Sequence, residues 1–202
     1  MKNLITLMVA MMLSTPAFAV DFDGKVGVAS DNYFRGVNMS DGFGYSGQIN
    51  LGLDNGIFAG ASVMSLDETS DLMTTALVGY SFDVGDVDLS IAYVDRGFQG
   101  VDIDGWEEVN VYADFDLFGV YYSKGLDDAG DFYKVESSAL KVVDVAYGDW
   151  DNAGSFIEVS KSWDLAGGSV KLGFIDHEDN DEDFTDKITE VDNFYVGYTY
   201  RF

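Results

Sequence analysis

Asp192-Asn193-Phe194-Tyr195-Val196-Gly197-Tyr198-Thr199-Tyr200-Arg201-Phe202 decides the fold. Every second residue counted back from Phe202 (Tyr200, Tyr198, Val196, Phe194) is apolar or aromatic, whereas Arg201, Thr199, Gly197 and Tyr195 between them are mostly small or polar. A period of two marks a β-strand with one apolar face. The same period recurs upstream. Phe43, Tyr45, Ile49, Leu51 and Leu53 alternate with Ser46, Gln48, Asn50 and Gly52, and Asp54-Asn55-Gly56 then supplies an Asn-Gly hairpin turn.

Working outward, segments of roughly ten to thirteen residues run from Gly24 to the end, close to the ~9–11 residues a tilted strand needs to cross a bilayer. The first is read as Gly24–Gly36, with Val26, Val28 and Phe34 on one face and Lys25, Asp31 and Arg35 on the other. Further strands are expected over Ile57–Ser65, Leu72–Phe82, Val87–Arg96 and Trp106–Leu117, then, after a turn near Phe118-Gly119, up to about Lys124, and over Ser155–Leu165, Ser169–His177 and from Val191 onward. Phe132–Tyr147 reads as two strands, Phe132–Ser137 and Leu140–Gly148, or as one long one. Short turns alternate with longer polar connections. The expectation is an all-β, closed, antiparallel up-and-down transmembrane β-barrel of about twelve strands, with ten as the alternative count. In hydrocarbon every backbone donor and acceptor must be paired within the protein, which forces such a sheet to close.

Composition agrees. There is no Cys, hence no disulfide framework and no thiolate chemistry, and the one Pro is Pro16. Met1–Ala19 has a basic start at Lys2, an apolar run from Leu4 to Leu13 and an Ala17-Phe18-Ala19 cleavage site. Residues 1–19 are thus expected to be a secretory signal cleaved after Ala19, leaving 20–202 as one barrel in the cell outer membrane. The net charge of −25 argues against nucleic acid or an anionic lipid surface as a partner and favours cations.

Two stretches carry a resemblance. The alternating apolar end, Phe194, Val196, Tyr198, Tyr200 and Phe202, resembles the signal by which the barrel assembly machinery engages bacterial outer-membrane barrels. Ala29-Ser30-Asp31-Asn32-Tyr33-Phe34-Arg35-Gly36-Val37-Asn38-Met39-Ser40-Asp41 is similar to the opening motif of the TorF-type porin family, also called Gcw_chp. Asn55-Gly56-Ile57-Phe58-Ala59-Gly60-Ala61-Ser62 is similar to its second landmark. The sequence departs from the motif at Asn32, Asn38 and Met39. The resemblance implies an outer-membrane barrel among lipid, with no established substrate and no catalytic residues.

Inward polar residues give the candidate pore lining: Asp31, Arg35, Gln48, Asn50, Asp88, Arg96, Glu108, Asn110, Asp114, Lys171 and Arg201. Two readings stand side by side: a charged constriction setting ion selectivity, or ion pairs filling a narrow barrel. Asp179, Asp181, Asp183 and Glu190 have the spacing of EF-hand positions one, three, five and twelve, but Phe184 stands where the turn needs Gly. A hydrated loop with diffuse cation association is expected there, with no metal site and no cofactor. The only histidine, His177, could be approached by Ser160 or Ser162, but there is no nucleophile elbow and no enzyme is expected. Met39, Met64 and Met73 read as packing. The functional expectation is passive diffusion of small solutes with cation preference. The rivals are a plugged structural or surface-interaction barrel, and a soluble periplasmic β-sandwich binding protein.

Overall fold

The computed structural model describes residues 20–40, 42–66, 71–101, 103–126, 129–140, 142–151, 153–178 and 193–202. In chain order the strands are β1 (Val20–Ala29), the two-residue β2 (Tyr33–Phe34) and β3 (Val37–Asn38), β4 (Gly44–Leu53), β5 (Ile57–Ser65), β6 (Leu72–Val84) and β7 (Val87–Gln99). There follow β8 (Trp106–Asp114), β9 (Phe118–Gly125), β10 (Phe132–Ser137), β11 (Asp144–Trp150), β12 (Gly154–Leu165), β13 (Gly168–Glu178) and β14 (Asn193–Arg201). All but β2 and β3 form one closed barrel of twelve antiparallel strands, each paired with its neighbours in sequence. A two-sheet sandwich is thereby excluded. Residues 1–19, read above as a secretory signal, and the acidic stretch holding Asp179, Asp181, Asp183 and Glu190 lie outside the described residues.

The seam forms where β1 meets β14, in the register Lys25↔Arg201 to Ala29↔Gly197. It is finished by a reciprocal backbone pair, Gly24 N–H to Phe202 O at 3.0 Å and Phe202 N–H to Gly24 O at 2.9 Å. No sheet edge is left there to pair with anything else. The Asn-Gly turn forms as its residues require: Gly56 has φ 87° and its N–H reaches Leu53 O at 2.9 Å.

Alternation fixes the faces. Apolar side chains such as Val26, Val28, Ile49, Ile91, Ile157 and Leu172 stand exposed on the outer wall. Rings gather at its two ends. Toward the tight turns are Phe22 with Phe202, Tyr80 with Phe82, and Phe115 with Phe118; toward the loops are Tyr133 with Tyr147 and Phe174 with Phe194.

Three expectations need correction. The first strand ends at Ala29, not Gly36, so Asp31, Phe34 and Arg35 are not on the barrel wall at all. The parity of Val26, Val28 and Phe34 continues by coincidence across a bend. The eleventh strand begins at Asp144 instead of Leu140, because Val142 N–H bonds Leu140 O (2.7 Å) in a local turn and leaves the ladder. Finally, the inner face is not uniformly polar. Its loop-side half holds a buried cluster of Val37, Trp106, Ala129, Phe132, Trp150, Ala153, Phe156 and Ile175.

Candidate functional site

The chain leaving β1 turns into the lumen instead of continuing the wall. Tyr33↔Asn38 and Phe34↔Val37 pair as a miniature ribbon, closed by Met39 N–H to Asn32 O at 2.8 Å. Its two-residue turn is Arg35-Gly36, with φ 53° and 83°. Gly36 is required twice over, since a Cβ there would lie 2.3 Å from the Phe156 ring. Arg35 holds a left-handed backbone that costs a non-glycine residue about 1–2 kcal/mol, so its contacts must overdetermine it.

Those contacts are the centre of the molecule. Glu108 on β8, with 0% of its surface exposed, receives Arg35 Nη2 at 2.7 Å and Arg96 Nη2 at 3.3 Å. Trp106 Nε1–H donates to the same carboxylate at 2.7 Å. Arg35 Nη2 also donates to Ser123 Oγ (3.0 Å) and Arg96 Nη1 to Thr75 Oγ1 (3.0 Å). One carboxylate thus serves two guanidinium groups, and aromatic faces take up the remaining positive charge. The Arg35 guanidinium lies 4.6 Å from the Phe132 ring centroid and 5.1 Å from those of Phe34 and Trp150, and Arg96 lies 4.7 Å from that of Phe34. Phe34, carried in by the ribbon, therefore touches both cations and packs against Trp106 and Trp150.

A second anchor is polar. Asn32 Nδ2–H donates to Ser65 O (2.9 Å) and Ser65 Oγ (3.0 Å), while Asn32 N–H donates to Ser40 Oγ (2.7 Å). The absence of a side chain at Gly44 makes room, because a Cβ there would meet Asn32 at 2.3 Å. Held at both points, the ribbon spans from the β4–β5 wall to the β8–β11 wall and divides the lumen.

Of the expected inner residues, Gln48, Asn50, Asp88, Arg96, Glu108, Asn110, Asp114, Lys171 and Arg201 occupy inward positions in the ladders that contain Glu108 and Lys25. Arg35, Arg96 and Glu108 are brought together in one buried ionic cluster. Asp31 sits at the ribbon's edge, accepting from Asn38 Nδ2 at 3.4 Å. Gln48 donates to Asn50 (2.9 Å), Asn50 to Asp23 (3.3 Å), and Lys171 pairs with Glu158 (2.5 Å). His177 faces Phe156, whereas Ser160 and Ser162 face Gly173 and Lys171. Ser160 is thus about four residues along the ladder, roughly 13 Å away, and no hydrolytic pair forms. Met73 is buried and Met39 packs on the aromatic cluster.

Below the ribbon the lumen opens into a cavity of about 350 Å³ under the short β10–β11 hairpin, lined by Tyr112, Asp114, Glu136, Asp144, Ser160, Ser162 and Lys171 among others.

Comparison with known proteins adds the fold. No protein-family model matches the sequence, and no curated protein is matched. Among solved structures the chain is similar to the KdgM porin, at a TM-score of 0.56 and 12% identity, covering 89% of this chain and 99% of that one. Variants of the Rhodopseudomonas blastica porin align over 92% of this chain and 100% of theirs at 12% identity, but with a TM-score of 0.39 they are too distant to inform the argument. What the chain shares with the KdgM porin is the architecture of a closed porin-like barrel.

Proposed function

We propose that this protein is an outer-membrane barrel acting as a narrow passive pore for small solutes, its bore set by the internal ribbon and not by its twelve strands. The observation that carries this is the ribbon itself, clamped across the lumen by Arg35, Glu108 and Arg96. The membrane setting is supported by the apolar outer wall with rings at both ends, which is the surface a bilayer rewards. The exposed outer face of β14, with Phe194, Val196, Tyr200 and Phe202, supports its recognition by the barrel assembly machinery. TorF-type membership is the family reading that the quoted motifs favour.

Cation preference follows from the turn-side mouth. Asp83, Asp88 and Asp114 stand in one cross-strand row and Asp23 lies on β1, against Lys25 and Arg201 at the seam. Like-charge carboxylates at an entrance raise the local cation concentration.

Planar-bilayer recording of the purified protein tests both parts. Small current steps with cation-biased reversal potentials in a salt gradient are expected, and larger steps once Phe34 is cut to Ala. A second reading, a closed structural barrel, is favoured by the burial of Glu108 and Ser123, each 0% exposed. Silence from both the native protein and the Phe34→Ala variant would decide for it, and anion-biased potentials would remove the selectivity.

A further inference from the structure

The cavity beneath the ribbon is a candidate site in its own right. At about 350 Å³ it falls within the ~300–1,000 Å³ of small-molecule pockets. Its groups are arranged by sign and kind. Asp114, Glu136 and Asp144 come from β8, β10 and β11; the hydroxyls of Ser160 and Ser162 from β12 and the Lys171 ammonium from β13 face them. Two of the wall's carboxylates are already engaged by cations: Glu136 by Lys134 at 2.8 Å, and Glu158 by Lys171 at 2.5 Å. Among the described residues neither Asp114 nor Asp144 takes part in an ion pair. Asp114 accepts only from Tyr112 O–H at 3.5 Å and Asp116 N–H at 3.0 Å.

The spacing of these groups discriminates between ligands. Among the described residues no three carboxylate or imidazole groups come close enough to hold one metal ion. Carboxylates dispersed around a cavity, with hydroxyls between them, suit a ligand that carries discrete ammonium groups with N–H donors on a small organic body. The cavity is lined from the turn-side half of the barrel and by no residue of the ribbon, so a solute entering from that end reaches it without passing the ribbon.

We propose that this cavity binds small organic ammonium solutes, with Asp114 and Asp144 taking the charged nitrogens and Tyr112, Ser160 and Ser162 contacting the body. As a statement about transport this rests on the pore reading; the binding itself does not. Calorimetric titration of the full-length protein in detergent with 1,5-diaminopentane provides the test, with 1,5-pentanediol as the uncharged match. Saturable binding of the diamine alone is expected, and Asp114→Asn and Asp144→Asn should each weaken it about tenfold, the scale of one charge-assisted hydrogen bond. Ser162→Ala, which leaves every charge in place, should weaken it about twofold to threefold, a few tenths of the same scale. Asp23→Asn, on β1 at the far side of the mouth and outside the cavity, should change it less than about twofold, as screened distant charges do. Equal losses from the mouth and cavity variants would reduce the effect to diffuse attraction and overturn the site, as would the absence of saturable binding. Binding without current steps would remove the pore and keep the site; current steps without binding would do the reverse.

Discussion

The loop-side and turn-side halves of this barrel share the same strands and the same alternation, yet their interiors are opposite. Above, the lumen is filled by rings around one carboxylate and two guanidinium groups, and Trp150, Phe132 and Ile175 are as buried as residues in a soluble core. Below, Ser81, Asp83, Asp88, Ser162 and Asp164 point inward and remain exposed. Inward parity therefore does not make a residue pore-lining. What decides is whether another segment arrives to cover it, and here Ser30 to Ser40 covers only the upper half.

The comparison breaks most readily at Glu108. Glu108→Ala leaves two guanidinium groups buried without their carboxylate, and the loss expected for an orphaned buried charge is about 3–5 kcal/mol. Denaturant unfolding in detergent would read it, and the same variant should conduct more than the native protein because the ribbon loses its clamp. Phe34→Ala should cost nearly as much, about 3–4 kcal/mol for removing a ring from a packed cluster, without unpairing any charge. Finding both variants as stable as the native protein would mean that the upper half is not a core.

Asn32→Ala tests the polar anchor. It removes the Nδ2–H donor from Ser65 O and Ser65 Oγ while keeping the backbone bond to Ser40 Oγ, at a cost of about 1–3 kcal/mol. In the lower half, Asp88→Asn should change stability by no more than about 0.5 kcal/mol, as exposed substitutions do, while shifting the reversal potential toward anions. A stability loss as large as that of Glu108→Ala would erase the distinction between the halves.

The smallest effect is expected at the loop rim. Hydrogen bonds from Lys124 Nζ (2.8 Å) and Tyr122 O–H (2.7 Å) hold the Asp131 carboxyl below the usual aspartate range. Its contribution is therefore complete above the ordinary aspartate pKa and lost as pH falls through the depressed one. The group is exposed, so NMR titration of Asp131 should show the shift while global unfolding barely changes across that window.

Alternation made the wall legible: Ile57–Ser65 and Phe132–Ser137 fall where the two-residue period puts them. The ribbon was hidden because Phe34 keeps the parity of Val26 and Val28, and periodicity is blind to a change of direction that preserves parity. Two signals pointed to it. Arg35-Gly36 is a two-residue turn between short β-prone pairs, and Trp106 shares the inward parity of Glu108. A tryptophan aimed at a water-filled lumen would need a partner to cover it. Contact between Arg35 and Ser123, 88 residues apart, lies beyond any local pattern.

That separation bears on how the molecule assembles. Arg35 rests on side chains from β8 to β11, so the surface that receives the ribbon does not exist until most of the wall has been laid down. Closing such long loops is entropically expensive and slow. The segment that follows the first strand in the chain must therefore be among the last to settle, and a folding intermediate with a complete cylinder and an unfilled centre is the natural species to look for.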